Sequence, residues 1–315
     1  MISGGRVHID RPLSQYAIDF RAPNIIADSV TPVIPVPNQS DIFTIFDQGP
    51  QWRLEKDLRA PGTEARKVRY TISSASFYCP NYELMGTVTR EEMANADPIV
   101  VMKLEQKRVA GVRLKLDLRR EQRLAILMNA TCGSRTAVAS VWNDPINSDP
   151  ISDINTAINN VLFSTGFRPN KMLMPLRVWN QLRKHNVIVN KGVNPYVTGG
   201  KVGYVSREAV ASIFELDEVV IGEAFYNTAQ EGQTQSLTEI WSNSCILYYA
   251  TAGASTEDPA FCVQFQWHGG MGGGFYVQRH LPDTKAGAQD LSVGHYTTEL
   301  AVGSSFGFAL TAAAT

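Results

Sequence analysis

Hydrophobic and polar positions change their spacing several times along the 315-residue chain, and each change predicts a different kind of structure. Residues 1–47 show no sustained period and are interrupted by five prolines, which fix φ and remove backbone donors. Apolar side chains in this stretch, such as Ile25, Ile34 and Phe43, argue against disorder. We expect an extended arm that lies on another surface, such as a neighbouring copy of the chain.

A β-hairpin with a type II turn is predicted by two alternating segments, residues 51–58 and 66–73, which flank a Pro-Gly pair. Residues 51–70 hold six basic and three acidic side chains, and a two-stranded ribbon this polar cannot stabilise itself in water. It is either a solvated hairpin on its own domain or an arm that grips an adjacent subunit. The candidate contact residues are Arg53, Lys56, Arg59, Pro61, Gly62, Arg66 and Lys67.

The longest predicted helix begins at Asp97-Pro98, a pair suited to an N-cap and a first turn, and runs to about residue 129. Its apolar stripe comprises Val109, Val112, Leu116, Leu124 and Leu127, and Gly111 is a candidate bend. Between Lys103 and Arg123 it carries eight basic and three acidic side chains. One face is therefore cationic, and it is either solvated or contacts DNA phosphates through Arg113, Lys115, Arg119 and Arg120.

After residue 150 the elements become shorter, which predicts an α+β layout. Helices are expected at 153–163, at 175–185 and, capped by Ser206, up to Phe214. Strands are expected at 171–174, 218–221, 245–250, 261–267, 275–279 and 293–302.

Composition adds little to this picture. Hydrophobic residues make up 44% and charged residues 19%, with a formal net charge of −1, so no global charge signature indicates nucleic acid or membrane. Four scattered cysteines support neither a zinc site nor a disulfide framework and are expected to be reduced thiols. A secretory signal and a membrane-spanning apolar run are also lacking from the pattern, so we expect a protein made and used without crossing a membrane.

The search for catalytic chemistry yields only weak motifs. The glycine run 269–274 lacks the G-x-G-x-x-G spacing and predicts a turn between two strands, while residues 199–201 fail the P-loop pattern. His268 before the glycine run resembles an esterase oxyanion loop, but no G-x-S-x-G nucleophile accompanies it. We expect no enzyme activity, no metal and no cofactor.

The order of arm, polar hairpin, long helix, α+β domain and returning strands resembles the Hong Kong 97 type coat-protein fold of tailed bacteriophages over essentially the whole chain. More locally, residues 169–185 are similar to a strand-plus-helix stretch of the axial domain in such subunits. Ile240-Trp241, Leu247-Tyr248-Tyr249 and Phe265-Gln266-Trp267 are similar to one branch of that family.

This resemblance implies an N-terminal arm at 1–47, an E-loop at 48–80, a peripheral domain at 81–150 with a spine helix at about 97–129, an axial domain at 151–260, and strands returning to both at 261–315. It implies a major capsid protein whose pentamers and hexamers form an icosahedral shell around double-stranded DNA. The expected partners are the chain itself, a separate scaffolding protein, a portal protein, a decoration protein and packaged DNA. Assembly is expected in the host cytoplasm, and the protein is expected in the virion without covalent crosslinks.

Three alternatives stay open at this point. An encapsulin-like compartment shell would share the fold but enclose an enzyme instead of DNA. A tail or baseplate subunit is the second, and a soluble hydrolase using the loop near His268 is the third.

Overall fold

The computed structural model describes residues 8–45, 52–65, 67–68, 73–95, 98–144, 146–192, 204–251, 258–269, 274–281, 287–311 and 313. Within these residues the chain has the expected α+β architecture, with two main sheets connected by one long helix. No helix of this described part is long and apolar enough to cross a membrane.

The helices are of very different lengths. They are α1 (Arg11–Asp19), α2 (Ala27–Val30), α3 (Arg90–Ala94), α4 (Pro98–Thr131), α5 (Pro150–Thr165), α6 (Leu176–Leu182), α7 (Asn186–Gly192) and α8 (Arg207–Phe214). Helix α4 has 34 residues, which corresponds to about 51 Å at 1.5 Å per residue. It confirms the predicted spine helix and runs without interruption through Gly111, while the predicted N-cap Asp97 lies outside the described residues.

The strands form two large sheets and two hairpins. In chain order they are β1 (His8–Ile9), β2 (Val33–Val36), β3 (Ser40–Ile45), β4 (Ser73–Tyr78), β5 (Asn81–Thr89), β6 (Ser134–Ala137), β7 (Lys171–Pro175), β8 (Glu218–Gly222), β9 (Phe225–Asn227), β10 (Leu237–Glu239), β11 (Ser244–Tyr248), β12 (Cys262–Trp267), β13 (Phe275–Arg279), β14 (Ala288–Ala301) and β15 (Gly307–Thr311).

The first sheet has the order β1-β13-β14-β12-β2, with β5 also paired to β14. Apart from β2, which runs parallel to β12, its strands pair antiparallel. The apolar stripe of α4 packs on this sheet, since Val109 and Leu116 share a core with Val277 and Val293. Of its strands, β5 lies in the predicted peripheral segment and β12, β13 and β14 in the predicted returning strands, whereas β1 and β2 come from the predicted arm.

The second sheet has the order β6-β15-β11-β7-β8 and is covered on both faces. Met172 of β7 belongs to a core formed with α5, α6 and α8, whereas its neighbour Leu173 belongs to a core that includes Leu124 and Met128 of α4. Alternate side chains of one strand thus point into different cores. Helix α4 therefore packs on the first sheet with one part of its length and on the second with its C-terminal part.

The N-terminal segment contradicts the expectation of an arm without regular structure. Residues 8–45 contain α1, α2 and three strands, and they pack on the chain's own cores through Leu13, Ala17 and Val30. Helix α1 has a local start signal, because Asp10 accepts a hydrogen bond from the Leu13 amide at 3.1 Å and Pro12 lies in the first turn. The number of prolines favoured an extended segment, although Pro12 is compatible with the first turn of a capped helix.

The shorter elements predicted after residue 150 are all present, with ends shifted by a few residues. Ser206 caps α8 as predicted, accepting a hydrogen bond from the Ala209 amide at 3.2 Å. Strand β14 begins five residues before the predicted start at 293, and β5 and β15 were not predicted.

Candidate assembly surfaces

The segment predicted to be an E-loop is attached to the first sheet through an antiparallel strand pair, β3 and β4. Phe43 of β3 and Phe77 of β4 contact Phe265 of β12, with ring centroids 5.2 and 4.5 Å apart respectively. These aromatic contacts attach the base of the loop to the core of its own subunit.

Beyond this base the predicted hairpin strand at 51–58 is wrong, because residues 52–60 form no strand. A strand needs a partner strand, and the strand pair of this part of the chain is β3 with β4, which lies outside residues 52–60. The predicted strand at 66–73 can be judged only in part, since Arg66 and residues 69–72 lie outside the described residues.

The predicted type II turn at the tip of the loop is confirmed. The Thr63 amide donates to the Ala60 carbonyl at 3.2 Å, and Gly62 has φ +79°. A type II turn requires a positive φ at its third position, which glycine adopts without steric cost.

The candidate contact residues of the loop that the structure describes are all exposed, namely Arg53, Lys56, Arg59, Pro61, Gly62 and Lys67. Charge patterning alone overlooked two apolar side chains among them. Leu54 and Leu58 are 99% and 95% exposed. Two leucines this fully exposed, on a segment without helix or strand, are a candidate contact for a neighbouring subunit.

The start of the loop is held by a contact with the second sheet's helix layer. Trp52 donates from Nε1 to the Thr165 carbonyl at 3.1 Å and lies edge-on to Phe167, with ring centroids 5.6 Å apart. Gly166 ends α5 at φ +76°, and a Cβ on it would lie 2.7 Å from the Trp52 ring. The absence of a side chain at Gly166 therefore makes room for Trp52.

The four cations singled out on the spine helix divide into two pairs. Lys115 and Arg119 are exposed and remain available to an anionic partner. Arg113 and Arg120 are each only 3% exposed, so the prediction that they face DNA is wrong for this pair. They lie on the same face of α4 as the apolar stripe, at helical spacing from Val109, Leu116 and Leu124, and so point inward.

The two buried arginines take part in a charged network between α4 and the N-terminal segment. Arg113 Nε lies 3.2 Å from Asp117 Oδ2, and Arg120 Nη2 lies 2.7 Å from Asp28 Oδ1. The Arg113 guanidinium also covers the ring of Phe275 at 3.1 Å. Burial lowers the pKa of Arg113 to about 10 and raises the pKa of Asp117, so removal from water outweighs their mutual attraction.

The described residues give the weak catalytic motifs no supporting geometry. In the described residues the hydrogen bond of His268 joins its Nε2 to Gln266 Oε1 at 3.3 Å, and residues 270–273 of the glycine run lie outside them. The described part of the chain contains no group of three His, Cys, Asp or Glu side chains that could hold a metal ion. All four cysteines are free and buried, as expected of reduced thiols.

Comparison with known proteins gives two curated relatives. The chain is 27% identical over 310 residues to a major capsid protein of Pseudomonas phage JBD67, which covers 95% of each chain. It is 24% identical over 248 residues to a major capsid protein of Burkholderia phage BcepMu, with 76% of each covered. No family model matches the sequence.

Solved structures decide the fold. A phage-related protein from Bordetella bronchiseptica superposes with a TM-score of 0.74 at 21% identity, covering 98% of both chains. The capsid of cyanophage P-SCSP1u gives a TM-score of 0.57 at 12% identity, covering 100% of this chain and 93% of the other. The chain has the Hong Kong 97 type capsid-protein fold.

Membership of this fold confirms the resemblance seen in the sequence. The same fold is found in a protein that is not a phage coat. The SrpI encapsulin of Synechococcus elongatus matches with a TM-score of 0.54 at 12% identity, covering 92% of this chain and 88% of that one. Fold alone therefore does not separate a Hong Kong 97 type head protein from a Hong Kong 97 type compartment shell.

Proposed function

We propose that this chain is the major capsid protein of a tailed phage and that copies of it assemble, as pentamers and hexamers, into an icosahedral head around double-stranded DNA. The observation that carries the proposal is the full-length similarity to a phage major capsid protein, 27% identical over 95% of both chains. The exposed loop segment supports it, since a neighbouring subunit that covers Leu54 and Leu58 would remove apolar surface from water.

The role is structural, and we propose that the chain catalyses no reaction. Its main partner is a second copy of itself, because closed shells form from repeated contacts between identical subunits. A separate scaffolding protein, a portal protein and a decoration protein are the further proposed partners. Packaged DNA would meet the exposed cations Lys115 and Arg119 through its phosphates.

An encapsulin-like compartment is the second candidate, and the match to the SrpI encapsulin is the observation in its favour. The two curated relatives are both phage proteins, which favours the phage head.

Native mass spectrometry of the full-length chain, expressed alone and with its candidate scaffolding protein, tests the proposal. Pentamers and hexamers are expected. Particles from infected or induced cells should contain nuclease-protected DNA, whereas a protein cargo would favour the compartment. A monomer or small dimer under both conditions would reject both shell functions.

A further inference from the structure

A cleft of about 350 Å³ lies between residues 20–29 of the N-terminal segment and helix α4. Its charged lining consists of Arg21, Asp28, Arg113, Asp117 and Arg120. Arg21 and Asp28 are well exposed, whereas the three α4 residues are buried. The cleft thus has an open, charged mouth and a closed, charged inner wall.

The inner wall carries polar atoms that the protein does not satisfy. Four atoms, Arg113 Nε, Arg113 Nη1, Asp117 Oδ1 and Arg120 Nε, are buried and have no hydrogen-bond partner among the described residues. Arg113 Nε has only its ion pair with Asp117 Oδ2 at 3.2 Å, and Asp117 Oδ1 has only the Arg120 Nη2 cation at 3.9 Å. Each of these side chains is at least 97% buried and lines the cleft. Buried donors and acceptors, and charged ones above all, are seldom left unpaired in folded proteins, and a water or an ion that enters the cleft would satisfy them.

The charges of the lining define what such a partner must be. Three arginines oppose two aspartates, which favours a guest with negative charge. Glu121 is not part of this lining: it lies behind the wall, where its two oxygens accept hydrogen bonds from Trp241 Nε1 and the Ile26 amide, each at 2.8 Å. Burial also dominates the lowered pKa of Arg113, so its present partner Asp117 does not fully offset its loss of water.

The four unpaired atoms narrow the chemistry of the guest further. Three donors, two on Arg113 and one on Arg120, need acceptors on the guest, whereas Asp117 Oδ1 needs a donor. A water molecule can donate and accept hydrogen bonds but carries no charge. Sulfate and an ionised carboxylate carry negative charge and accept hydrogen bonds, but they have no O–H to donate. The hydrogenphosphate ions present at neutral pH carry charge, several acceptor oxygens and at least one O–H.

We propose that this cleft binds one inorganic phosphate ion, which accepts hydrogen bonds from Arg113 and Arg120 and donates one to Asp117. The bound ion links α4 to residues 20–29 through the mouth residue Arg21. This site is independent of the capsid function proposed above, because it lies within one subunit.

Equilibrium dialysis of the full-length protein with radiolabelled phosphate, at pH 7 and constant ionic strength, tests the proposal. One saturable site per chain is expected, and saturating phosphate should raise the thermal unfolding midpoint by about 2–4 °C more than sulfate does. Absence of a saturable site, or an equal shift with sulfate, would overturn it.

Variants separate binding from general stability. Arg21→Ser removes an exposed side chain whose ion pair with Asp28 is long, 3.7 Å, so it should weaken phosphate binding by about 5-fold or more while leaving the unfolding midpoint in chloride unchanged. Arg135→Ser, on the exposed strand β6, is the matched control and should bind phosphate like the wild type. Equal affinity in both variants would overturn the proposal.

Asp117→Asn provides a readout that a purely structural role would not change. An asparagine amide can donate to sulfate, so this variant should lose the preference for phosphate over sulfate. If the variant binds phosphate and retains the preference, Asp117 does not accept the phosphate proton and the proposed geometry is wrong.

Discussion

Residues 52–65 and helix α4 are both rich in arginine and lysine, but their cations lie in different surroundings. In the loop, Arg53, Lys56 and Arg59 are exposed. In α4, Arg113 and Arg120 lie in a charged network between two cores, with carboxylates at 3.2 and 2.7 Å. A count of charges cannot separate the two regions. The periodicity of the neighbouring apolar positions can, because it shows which face of the helix is buried.

This difference assigns different roles to the two regions. Helix α4 contributes to the stability of the single subunit, since both sheets pack against it. The loop contributes little to that stability and exposes Leu54 and Leu58, so its contribution is expected in the contact with a neighbour.

The largest expected effect comes from removing the loop. Replacement of residues 53–65 with a short Gly-Ser linker should leave both cores folded, because these side chains make few contacts within the subunit, but should abolish shell formation. Circular dichroism and electron microscopy measure the two outcomes. Normal particles from this variant would show that the loop is only a solvated hairpin.

The same substitution in each region should have unequal effects on the free energy of unfolding. Arg120→Ala leaves Asp117 and the Asp28 contact without their buried cation and should cost about 3–5 kcal/mol. Arg59→Ala, at an exposed position, should cost less than about 0.5 kcal/mol. Urea unfolding of the unassembled subunit measures both, and similar values would remove the proposed difference between the regions.

Acid should destabilise the contact between α4 and the first sheet through His295 of β14. The pKa of His295 lies well below its usual value, mainly because the ring is buried and further because it faces the cations Arg120, Arg113 and Arg123. The unfolded chain therefore binds a proton at about pH 6.5 that the folded chain does not. Stability is fully present above that pH and falls below it, by at most about 1.4 kcal/mol per pH unit.

His295→Gln should remove this acid-dependent loss, whereas His268→Gln, at an exposed position, should retain it. The buried carboxyls of Asp117 and Glu121 act in the opposite direction, because burial raises their pKa and their contribution to stability falls as pH rises. Urea unfolding just below pH 6.5 measures the histidine effect, and an unchanged slope in His295→Gln would contradict it.

Alanine substitutions at two glycines with a positive φ distinguish the cost of backbone strain from the cost of displacing Trp52 at the start of the loop. Gly166 and Gly232 have φ +76° and +85°, but only at Gly166 would a Cβ meet another side chain, the Trp52 ring. Each alanine substitution should cost about 1 kcal/mol through φ alone. Gly166→Ala should cost more and should shift tryptophan fluorescence, because it displaces Trp52. Identical behaviour of the two variants would show that Trp52 does not hold the loop.

The smallest expected effect concerns DNA. Lys115→Gln combined with Arg119→Gln should leave assembly unchanged and should lower the salt dependence of non-specific DNA binding by up to about two units of slope. Lys184→Gln, at an exposed position just after α6, is the control. An unaffected slope in the double variant would mean that this face of α4 does not contact phosphate.

Much of the fold could be predicted from the sequence, and the failures have physical causes. The spine helix and β7 were predictable because their apolar patterns are strong and their ends are marked. Strand β5 was missed because most of its side chains are exposed and its pairing with β14, some two hundred residues away, leaves no local signal. The burial of Arg113 and Arg120 could have been predicted, since both residues fall on the apolar face of the helix at helical spacing.

The assembly surface was predictable only in outline. Exposed charges located the loop, but Leu54 and Leu58 became significant only once their exposure was known. Trp52 was unpredictable because its partners, Thr165 and Phe167, are more than a hundred residues away in the chain.

The most direct test of the central claim is negative-stain electron microscopy of the purified full-length protein, expressed with its candidate scaffolding partner. Closed shells of uniform size are expected. A uniform monomer or small oligomer without shells would contradict the proposed capsid function.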